Sequence, residues 1–296
     1  MDEAQIQQVR HFNRAVTRRI GVLTDDYLGR GRPLAESRLL FEIGGGADVR
    51  ELRARLSLDS GYLSRLLRAL EGQGLVAVQP SAEDARVRRV TLTRKGQREL
   101  GALDTRSQTL ASSLLAPLGA AQRERLIAAM AEVERLLRAS AVEIAIADPA
   151  SADAHACIDA YLGELNLLFD GGFDASRSVS ADPGELVPPC GAFVIARLDG
   201  VAIGCGGLKG TGNGEGEIKR MWVAPSARGL GIAQRLLDAL EAQAAIMNLH
   251  TLRLDTNRTL TAARALYARN GYREIPRYND NPYADHWFEK RLDSAA

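Results

Sequence analysis

The chain has 296 residues, of which 46% are hydrophobic and 25% are charged. These proportions are ordinary for a folded protein and exclude a mostly disordered chain or a collagen-like repeat, while the length favours two domains. No apolar run approaches the roughly 20 residues that span a bilayer, and the polar N-terminus does not resemble a secretory signal. The 3 cysteines are far apart in the sequence, which argues against a disulfide framework and predicts a cytoplasmic protein.

The net charge of +1 hides an uneven distribution along the chain. Residues 1–140 carry 23 Lys and Arg against 17 Asp and Glu, whereas residues 141–296 carry 15 against 20. A basic half followed by an acidic half indicates two domains with different partners. We predict one domain over residues 1–140, a seam at 141–150 and a second domain over 142–296. Nucleic acid is the candidate partner of the basic half, although so small an excess of charge does not establish it.

Hydrophobic periodicity in the first half predicts helices with one pair of strands. In chain order we expect a long helix over 6–27, helices over 34–43, 49–56 and 60–72, strands over 75–78 and 87–92, and two further helices divided by Pro117. The last helix aligns an apolar seam made of Leu126, Met130, Val133 and Leu137. This seam and the first helix carry more apolar surface than a small domain buries, which predicts a homodimer.

The helix that begins after Asp59 has a polar outer face opposite its leucines. That face carries Ser60, Tyr62, Ser64, Arg65 and Arg68, and the strand pair after it carries Arg86 and Arg88. Short helices followed by a two-stranded wing predict a winged helix-turn-helix, whose recognition helix enters the DNA major groove. Two other interpretations stay open: the arginines form a solvated face with Tyr62 in the core, or the wing serves only protein contacts.

Residues 36–96 resemble the MarR family of transcriptional regulators. The segment from Glu83 to Gly96 carries the D-x-R of that family's wing and its closing L-T-x-x-G. The resemblance implies that Asp84 orients Arg86 at the wing tip, where the arginine contacts DNA. It also implies a dimer that binds double-stranded DNA at an inverted repeat.

The second half alternates strands and helices, which is typical of an α+β domain. We expect a strand over 142–147, a helix over 152–169, a hairpin of strands over 192–198 and 201–208, a strand over 217–223, a helix over 231–247, a strand over 251–255, a helix over 261–270, and strands near Tyr272 and His286. The hairpin turn is Asp199-Gly200. The four histidines of the chain are scattered, and we expect no metal site.

A glycine-containing loop follows the strand over 217–223 and opens a helix. It reads R-G-L-G-I-A from Arg228 to Ala233. Glycines at a helix start let backbone N–H groups approach an anion, and the helix dipole favours negative charge there. The loop lacks the G-K-[ST] of a Walker A motif and the third glycine of a dinucleotide fingerprint. It therefore predicts a phosphate site of another kind.

These residues resemble the GNAT acyltransferase family, over residues 142–292. Arg228, Gly231 and Ala233 match its coenzyme A motif Q/R-x-x-G-x-G/A, and the A-x-x-L-Y-x-x-x-G-Y that ends at Tyr272 matches its second motif. The resemblance implies a mixed sheet flanked by helices and open between its fourth and fifth strands, with acetyl-CoA bound in the gap. The residues it places at acetyl-CoA are Met221, Trp222, Val223, Arg228, Gly229, Leu230, Gly231, Ile232, Ala233, Asn257 and Tyr267.

Acetyl transfer to an amine needs a base, a donor for the developing oxyanion and an acid for the leaving thiolate. The resemblance implies that Tyr267 is the acid and that Asn257 bonds the pantetheine arm or a water. Glu217 lies on the same strand as residues 221–223 and is our candidate base. Each has a second interpretation, since Tyr267 could pack against the sheet and Glu217 could face solvent.

The amine acceptor is not evident from the sequence. The aromatic, polar segment over 278–290 is expected beside the acceptor pocket, where Asp280, Asp285 and His286 could recognise a cation or form only a charged surface. We predict a bifunctional regulator and acetyl-CoA-dependent N-acetyltransferase acting on a small amine or a protein lysine. The alternative is a DNA-binding repressor whose second domain senses acetyl-CoA or a metabolite.

Overall fold

The computed structural model of the protein describes residues 2–22, 26–81, 87–179 and 181–292. The chain forms two compact units, Met1–Ala128 and Ala129–Ala296. Their boundary lies inside the last helix of the basic half, ahead of the seam expected at 141–150, and the sequence-based domain limits stay a prediction. Within the described ranges no helix is both long and apolar enough to cross a membrane.

The first unit is helical, with a small antiparallel sheet of order β1-β3-β2. Its helices are α1 (Glu3–Ile20), α2 (Leu34–Ile43), α3 (Val49–Arg55), α4 (Ser60–Gly72) and α5 (Arg94–Leu115), and α6 (Ala120–Ser140) begins in it. Its strands are β1 (Ala47–Asp48), β2 (Val76–Pro80) and β3 (Arg88–Leu92). The winged helix-turn-helix prediction is confirmed, whereas sequence periodicity missed β1, which spans two residues.

The predicted extent of the first helix, to residue 27, is wrong. Helix α1 ends at Ile20 because Gly21 adopts the left-handed conformation, with φ of 71°, and its N–H caps the carbonyl of Thr17. Tyr27 instead starts a short 3-10 turn. No residue of α1 is buried within this unit, so its apolar stripe faces outward.

Side-chain caps and buried leucines fix the helix-turn-helix. The Asp59 carboxylate accepts the N–H of Tyr62, and the Thr93 hydroxyl accepts the N–H of Gly96, as N-caps of α4 and α5. The inner face of α4 is buried against α2, α3, β3 and α5 through Leu63, Leu66, Leu67, Leu70, Leu39, Leu40, Leu52, Val90 and Leu103. The outer face of α4 is thereby left to solvent, as its residue pattern predicts.

The second unit is an α+β domain around a mixed seven-stranded sheet of order β4-β5-β6-β7-β8-β10-β9. The elements are β4 (Glu143–Ile146), α7 (Ala152–Leu168), β5 (Gly191–Leu198), β6 (Val201–Gly212), β7 (Glu215–Val223), α8 (Ile232–Ile246), β8 (Thr251–Thr256), α9 (Thr261–Arg269), β9 (Arg273–Ile275) and β10 (His286–Arg291). Helix α8 packs its buried leucines against β5, β6 and β7. The predicted fold class is confirmed.

Two tight turns join the central strands. Asp199-Gly200 connects β5 to β6 with φ values of 52° and 79°, as predicted. Asn213-Gly214 connects β6 to β7 with φ values of 53° and 74°. Positive φ at both central residues is the geometry of the favoured two-residue hairpin turn, and an Asn-Gly pair signals it. Strand β6 therefore runs to Gly212, beyond its predicted end at residue 208.

The sheet opens between β7 and β8, its fourth and fifth strands in chain order. The two strands run parallel and pair from Glu215 opposite Thr251 to Glu217 opposite Arg253. Both strands continue, to Val223 and Thr256, but among the described residues β7 and β8 do not pair with each other beyond that point. A bulge bends β7 here, because its register against β6 shifts and Arg220 has a φ of 55°. The gap lies at the carboxyl ends of both strands.

Candidate active site

Two clefts occupy the gap between β7 and β8. The larger, about 600 Å³, lies beside residues 221–223, the loop at 227–231 and the starts of α8 and α9. The smaller, about 100 Å³, lies beside residues 218–221, the end of β8 and residues 281 and 283. Both clefts are lined by Tyr161, Leu165, Met221, Leu260, Ala263 and Tyr267. The two clefts therefore share a wall that includes Tyr267.

The loop at the larger cleft has the geometry of an anion site. Gly229 and Gly231 have φ values of 79° and 73°, and α8 begins at Ile232 directly after them. Side-chain-bearing residues are strained in this conformation, which explains both glycines. The carbonyl of Gly229 accepts a hydrogen bond from the guanidinium of Arg135, which holds the loop. The first N–H groups of α8 lack helical partners and carry the positive end of the dipole.

An acidic side chain occupies the same cleft. The Glu164 carboxylate pairs with the Arg228 guanidinium at 2.5 and 2.6 Å and accepts the indole N–H of Trp222 at 2.8 Å. Burial acts to raise the pKa of Glu164, but the bonds from Arg228 and Trp222 outweigh it, and the pKa lies below its usual value. A phosphate at this loop would compete with Glu164 for Arg228.

Tyr267 lies on α9 at the junction of the clefts. Its side chain is buried between the rings of Tyr272 and Phe288, whose centroids are 5.8 and 6.1 Å away. Burial, and then the negative charge of Asp255, raise the pKa of Tyr267 well above its usual range. The phenol therefore keeps its proton at neutral pH.

A cluster of charges lines the smaller cleft on the β8 side. The ammonium of Lys219 lies 2.8 Å from a carboxylate oxygen of Glu217 and 3.1 Å from one of Asp255. Only 9% of the Lys219 and Asp255 side chains is exposed. Asp255 and Lys219 line the cleft, whereas Glu217 does not. Asp255 is therefore the carboxylate of this pair that faces the smaller cleft.

The segment Tyr278 to Tyr283 folds back over these charges. Tyr278 donates its hydroxyl hydrogen to Glu217 at 2.6 Å. The side-chain amides of Asn279 and Asn281 donate to Asp255, each at 2.7 Å. Asn281 and Tyr283 line the smaller cleft, and the placement of the 278–290 segment beside an acceptor pocket stays a prediction.

Asn257, at the end of β8, holds this segment. Its amide nitrogen donates to the carbonyl of Tyr283 at 2.7 Å, and its amide oxygen accepts from the backbone N–H and hydroxyl of Thr259. These bonds tie the strand end to the 281–283 turn. Asn257 lines the smaller cleft, not the larger one.

On the first unit, helix α4 presents a polar surface. Ser60, Tyr62, Ser64, Arg65 and Arg68 are all exposed, and so is Arg88 on β3. The Arg65 guanidinium lies over the Tyr62 ring, 5.7 Å from its centroid. Tyr62 is 38% exposed, which argues against a core role. Asp84 and Arg86, the wing-tip pair, lie outside the described residues.

Comparison with known proteins assigns the two halves. Residues 164–272 match the Acetyltransferase (GNAT) family, and residues 30–87 match the MarR family. An IAA acetyltransferase of Azospirillum brasilense is 36% identical over 116 residues, which are 39% of this chain and 71% of that protein. The chain belongs to the GNAT acetyltransferase family. It is a fusion of a MarR region to a GNAT N-acetyltransferase domain.

Two further similarities concern parts of the chain. An uncharacterized N-acetyltransferase of Schizosaccharomyces pombe is 33% identical over 97 residues, 32% of this chain and 60% of that protein. A mutant MarR from Escherichia coli, in a crystal structure of its complex with operator DNA, is 24% identical to this chain. The match covers 45% of this chain and 99% of that chain, with a TM-score of 0.38.

The GNAT site brings together most of the residues expected at acetyl-CoA. The larger cleft is lined by Met221, Trp222, Val223, Arg228, Gly229, Gly231, Ile232, Ala233 and Tyr267. Leu230 points into the core instead, where it is 8% exposed. Asp280 pairs with Arg277, Asp285 accepts the N–H of Arg258, and His286 pairs with Glu274; none of these three lines either cleft.

Sequence reasoning about the GNAT domain missed Asp255 and Lys219 in the smaller cleft. Both lie on strands that the sequence predicted, and Asp255 stands two residues before Asn257. The sequence signal that could have found this site was the charge of Asp255 at the carboxyl end of a central strand. Across the described ranges, no group of three or more His, Cys, Asp and Glu side chains is arranged to hold a metal ion.

Proposed function

We propose that this protein is a DNA-binding transcriptional regulator that also transfers acetyl from acetyl-CoA to the amine of a small molecule. One observation carries the enzymatic part: the glycine loop and the buried Tyr267 line one cleft, and Tyr267 also lines a second, neighbouring cleft that contains a carboxylate. A pure sensor of acetyl-CoA needs the first cleft but has no need of an adjoining acceptor cleft.

The residues of the larger cleft fit acetyl-CoA. Its volume of about 600 Å³ lies in the range of small-molecule sites. The N–H groups at the start of α8 would hold the diphosphate, and Arg228 would add positive charge on release from Glu164. Beyond Glu217 the described part of β8 does not pair with β7, so the backbone of residues 221–223 can bond an extended pantetheine arm. Acetyl-CoA supplies the activated acetyl thioester.

The protein's own groups divide the remaining chemistry. An amine is protonated at neutral pH, so a base must accept its proton. We assign this role to Asp255 rather than to Glu217, because Asp255 lines the smaller cleft and Glu217 lines neither cleft. The backbone N–H of Met221, at the bulge of β7, would stabilise the charge that develops on the acetyl oxygen. Tyr267 would protonate the departing thiolate of coenzyme A, since its phenol belongs to the lining that the two clefts share.

Acetyl-CoA should protect the folded enzyme, and the loop should be necessary for that protection. At 100 times its Kd the ligand contributes about 2.7 kcal/mol, which corresponds to a rise of several degrees in Tm. We expect Gly231→Val to abolish this rise, because a β-branched residue resists a φ of 73°. Differential scanning fluorimetry with and without acetyl-CoA measures it.

The matched control for this experiment is Gly271→Val. Gly271 has a similar φ of 82°, but it follows α9 and lines neither cleft. Both variants should lose basal stability, and only Gly231→Val should lose the response to acetyl-CoA. Equal protection of both variants would remove the loop from the site. Acetyl-CoA protection without release of coenzyme A in the presence of any amine would leave only a sensor.

The regulatory part of the proposal is supported by the surface of the first unit. Helix α4 exposes hydroxyls and two arginines on the face that a recognition helix presents to the major groove. Large apolar side chains are also exposed on α1, including Val9 at 59%, and on the part of α6 that belongs to the second unit, including Met130 at 53% and Leu137 at 63%. We assign these stripes to a homodimer interface, and such a dimer would bind an inverted repeat with half-sites about 10 bp apart.

The double variant Arg65→Ala, Arg68→Ala should weaken binding to fragments of the protein's own promoter by about tenfold or more. It should also reduce the slope of log K against log salt by about one for each phosphate that is no longer neutralised by an arginine. Fluorescence anisotropy at several salt concentrations measures both quantities. Arg273→Ala, which removes an exposed arginine from the second unit, is the control. Unchanged affinity and salt slope in the double variant would refute DNA recognition by α4.

A further inference from the structure

Resting on the proposed transferase function, we propose that the acceptor is a small primary amine carried on a single aromatic ring. The ring would lie against the cluster formed by Phe169, Phe173 and Tyr283, and the ammonium would bond to Asp255. All four residues line the smaller cleft, which adjoins the acetyl-CoA cleft at Tyr267.

The apolar side of the cleft is an aromatic cluster. The rings of Phe173 and Tyr283 are 4.7 Å apart between centroids, and Phe169 lies 5.8 and 5.9 Å from the two. The chain makes this cluster possible by reversing between the phenylalanines at Gly171 and Gly172, whose φ values are 84° and 81°. Aromatic rings favour edge and offset contacts with another ring at such spacings.

Hydrogen bonds hold the cluster in place. The Tyr283 hydroxyl accepts the N–H of Asp174 at 2.9 Å, and the side chain of Asn166 accepts the N–H of Phe173 at 2.9 Å. Asn257 holds the carbonyl of Tyr283 from the other side. The rings are therefore fixed before a ligand arrives, which reduces the entropy lost on binding.

The size of the cleft limits the acceptor. Its volume is about 100 Å³. An apolar protein cavity of about 150 Å³ holds one benzene molecule, so this smaller space admits at most one ring. A polyamine chain or a peptide would have to leave most of its length outside.

The polar side of the cleft fits a cation. Asp255 Oδ2 accepts from Lys219 and Asn279, and Oδ1 accepts from Asn281. An ionised carboxylate offers about four acceptor positions, which leaves one, on Oδ1, for an ammonium. Lys219 lies between the carboxylates of Glu217 and Asp255, so these three groups together carry one formal negative charge. Arg220, which also lines the cleft, donates to the carbonyl of Ala181 at 2.6 Å. The tyrosine and phenylalanine faces add attraction for a positive charge.

The test compares kcat/KM for 2-phenylethylamine, spermidine and a lysine peptide with a blocked N-terminus, by release of coenzyme A from the full-length protein. We expect 2-phenylethylamine to exceed both others by at least tenfold. Phe173→Leu should reduce kcat/KM for 2-phenylethylamine by about tenfold, chiefly through KM, while its effect on spermidine stays below twofold. Leu167→Ala, an 86% exposed position on α7, is the control and should change neither.

The results of this test distinguish failure of the aromatic acceptor from failure of the transferase function. Faster turnover of spermidine or of the lysine peptide would overturn the aromatic acceptor and leave the transferase intact. Equal losses for all amines in Phe173→Leu would also overturn it, because a merely structural role affects every substrate alike. If acetyl-CoA protects the fold but no amine releases coenzyme A, the transferase function itself fails.

Discussion

We expect Asp255→Asn to lower kcat/KM for the amine by about 10²–10⁴-fold, the range that a positioned general base contributes. The substitution keeps the size of the side chain but removes the negative charge that would receive the ammonium proton. Protection by acetyl-CoA should persist, because Asp255 lines the acceptor cleft and not the larger one. Steady-state kinetics and thermal denaturation of the same preparation measure the two effects.

The pH dependence distinguishes a lost base from a damaged fold. Raising the pH towards the pKa of the amine, about 10 for an alkylamine, deprotonates the acceptor in solution and makes the base unnecessary. The deficit of Asp255→Asn should therefore shrink as pH rises, whereas a misfolded site would stay inactive. Glu217→Gln is the companion variant, and it should lose less than tenfold because Glu217 lines neither cleft. The reverse order of the two losses would return the base to Glu217.

Tyr267→Phe should lower kcat by about 10²-fold and leave acetyl-CoA affinity nearly unchanged. The variant removes only the hydroxyl, so the ring still packs between Tyr272 and Phe288. The lost proton donation is an interaction of the transition state, and such losses appear in kcat rather than in ground-state binding. Single-turnover kinetics and calorimetric titration with acetyl-CoA measure the two.

Tyr272→Phe is the matched control for this prediction. Tyr272 is also buried, and its hydroxyl donates to Glu241 at 3.0 Å, but it lines neither cleft. Its loss should cost about 1 kcal/mol of stability with little change in kcat. Full activity in Tyr267→Phe would remove the acid role, and equal losses in both variants would indicate a packing role instead.

The sequence by itself was sufficient for features set by local patterns. The periodic leucines of α4, the start of that helix after Asp59, and the Asp-Gly hairpin turn each depend on a few neighbouring residues, and all are present. The loop from Arg228 to Ala233 was likewise evident, because a strand, two glycines and a helix follow one another directly in the chain. Helix α1 was predicted too long because its apolar spacing continues past Gly21, whose left-handed φ ends the helix.

Only the tertiary structure decided which carboxylate faces the acceptor. Glu217 and Asp255 lie on neighbouring strands, and both carry an acidic group towards Lys219. The separation of β7 from β8 opens the cleft beside Asp255, while Tyr278 and Asn279, some 60 residues along the chain, cover Glu217. The aromatic cluster of Phe169, Phe173 and Tyr283 depends on the same return of the chain. Contacts between residues so distant in sequence leave no periodic pattern, because they arise from how strands separate and segments fold back.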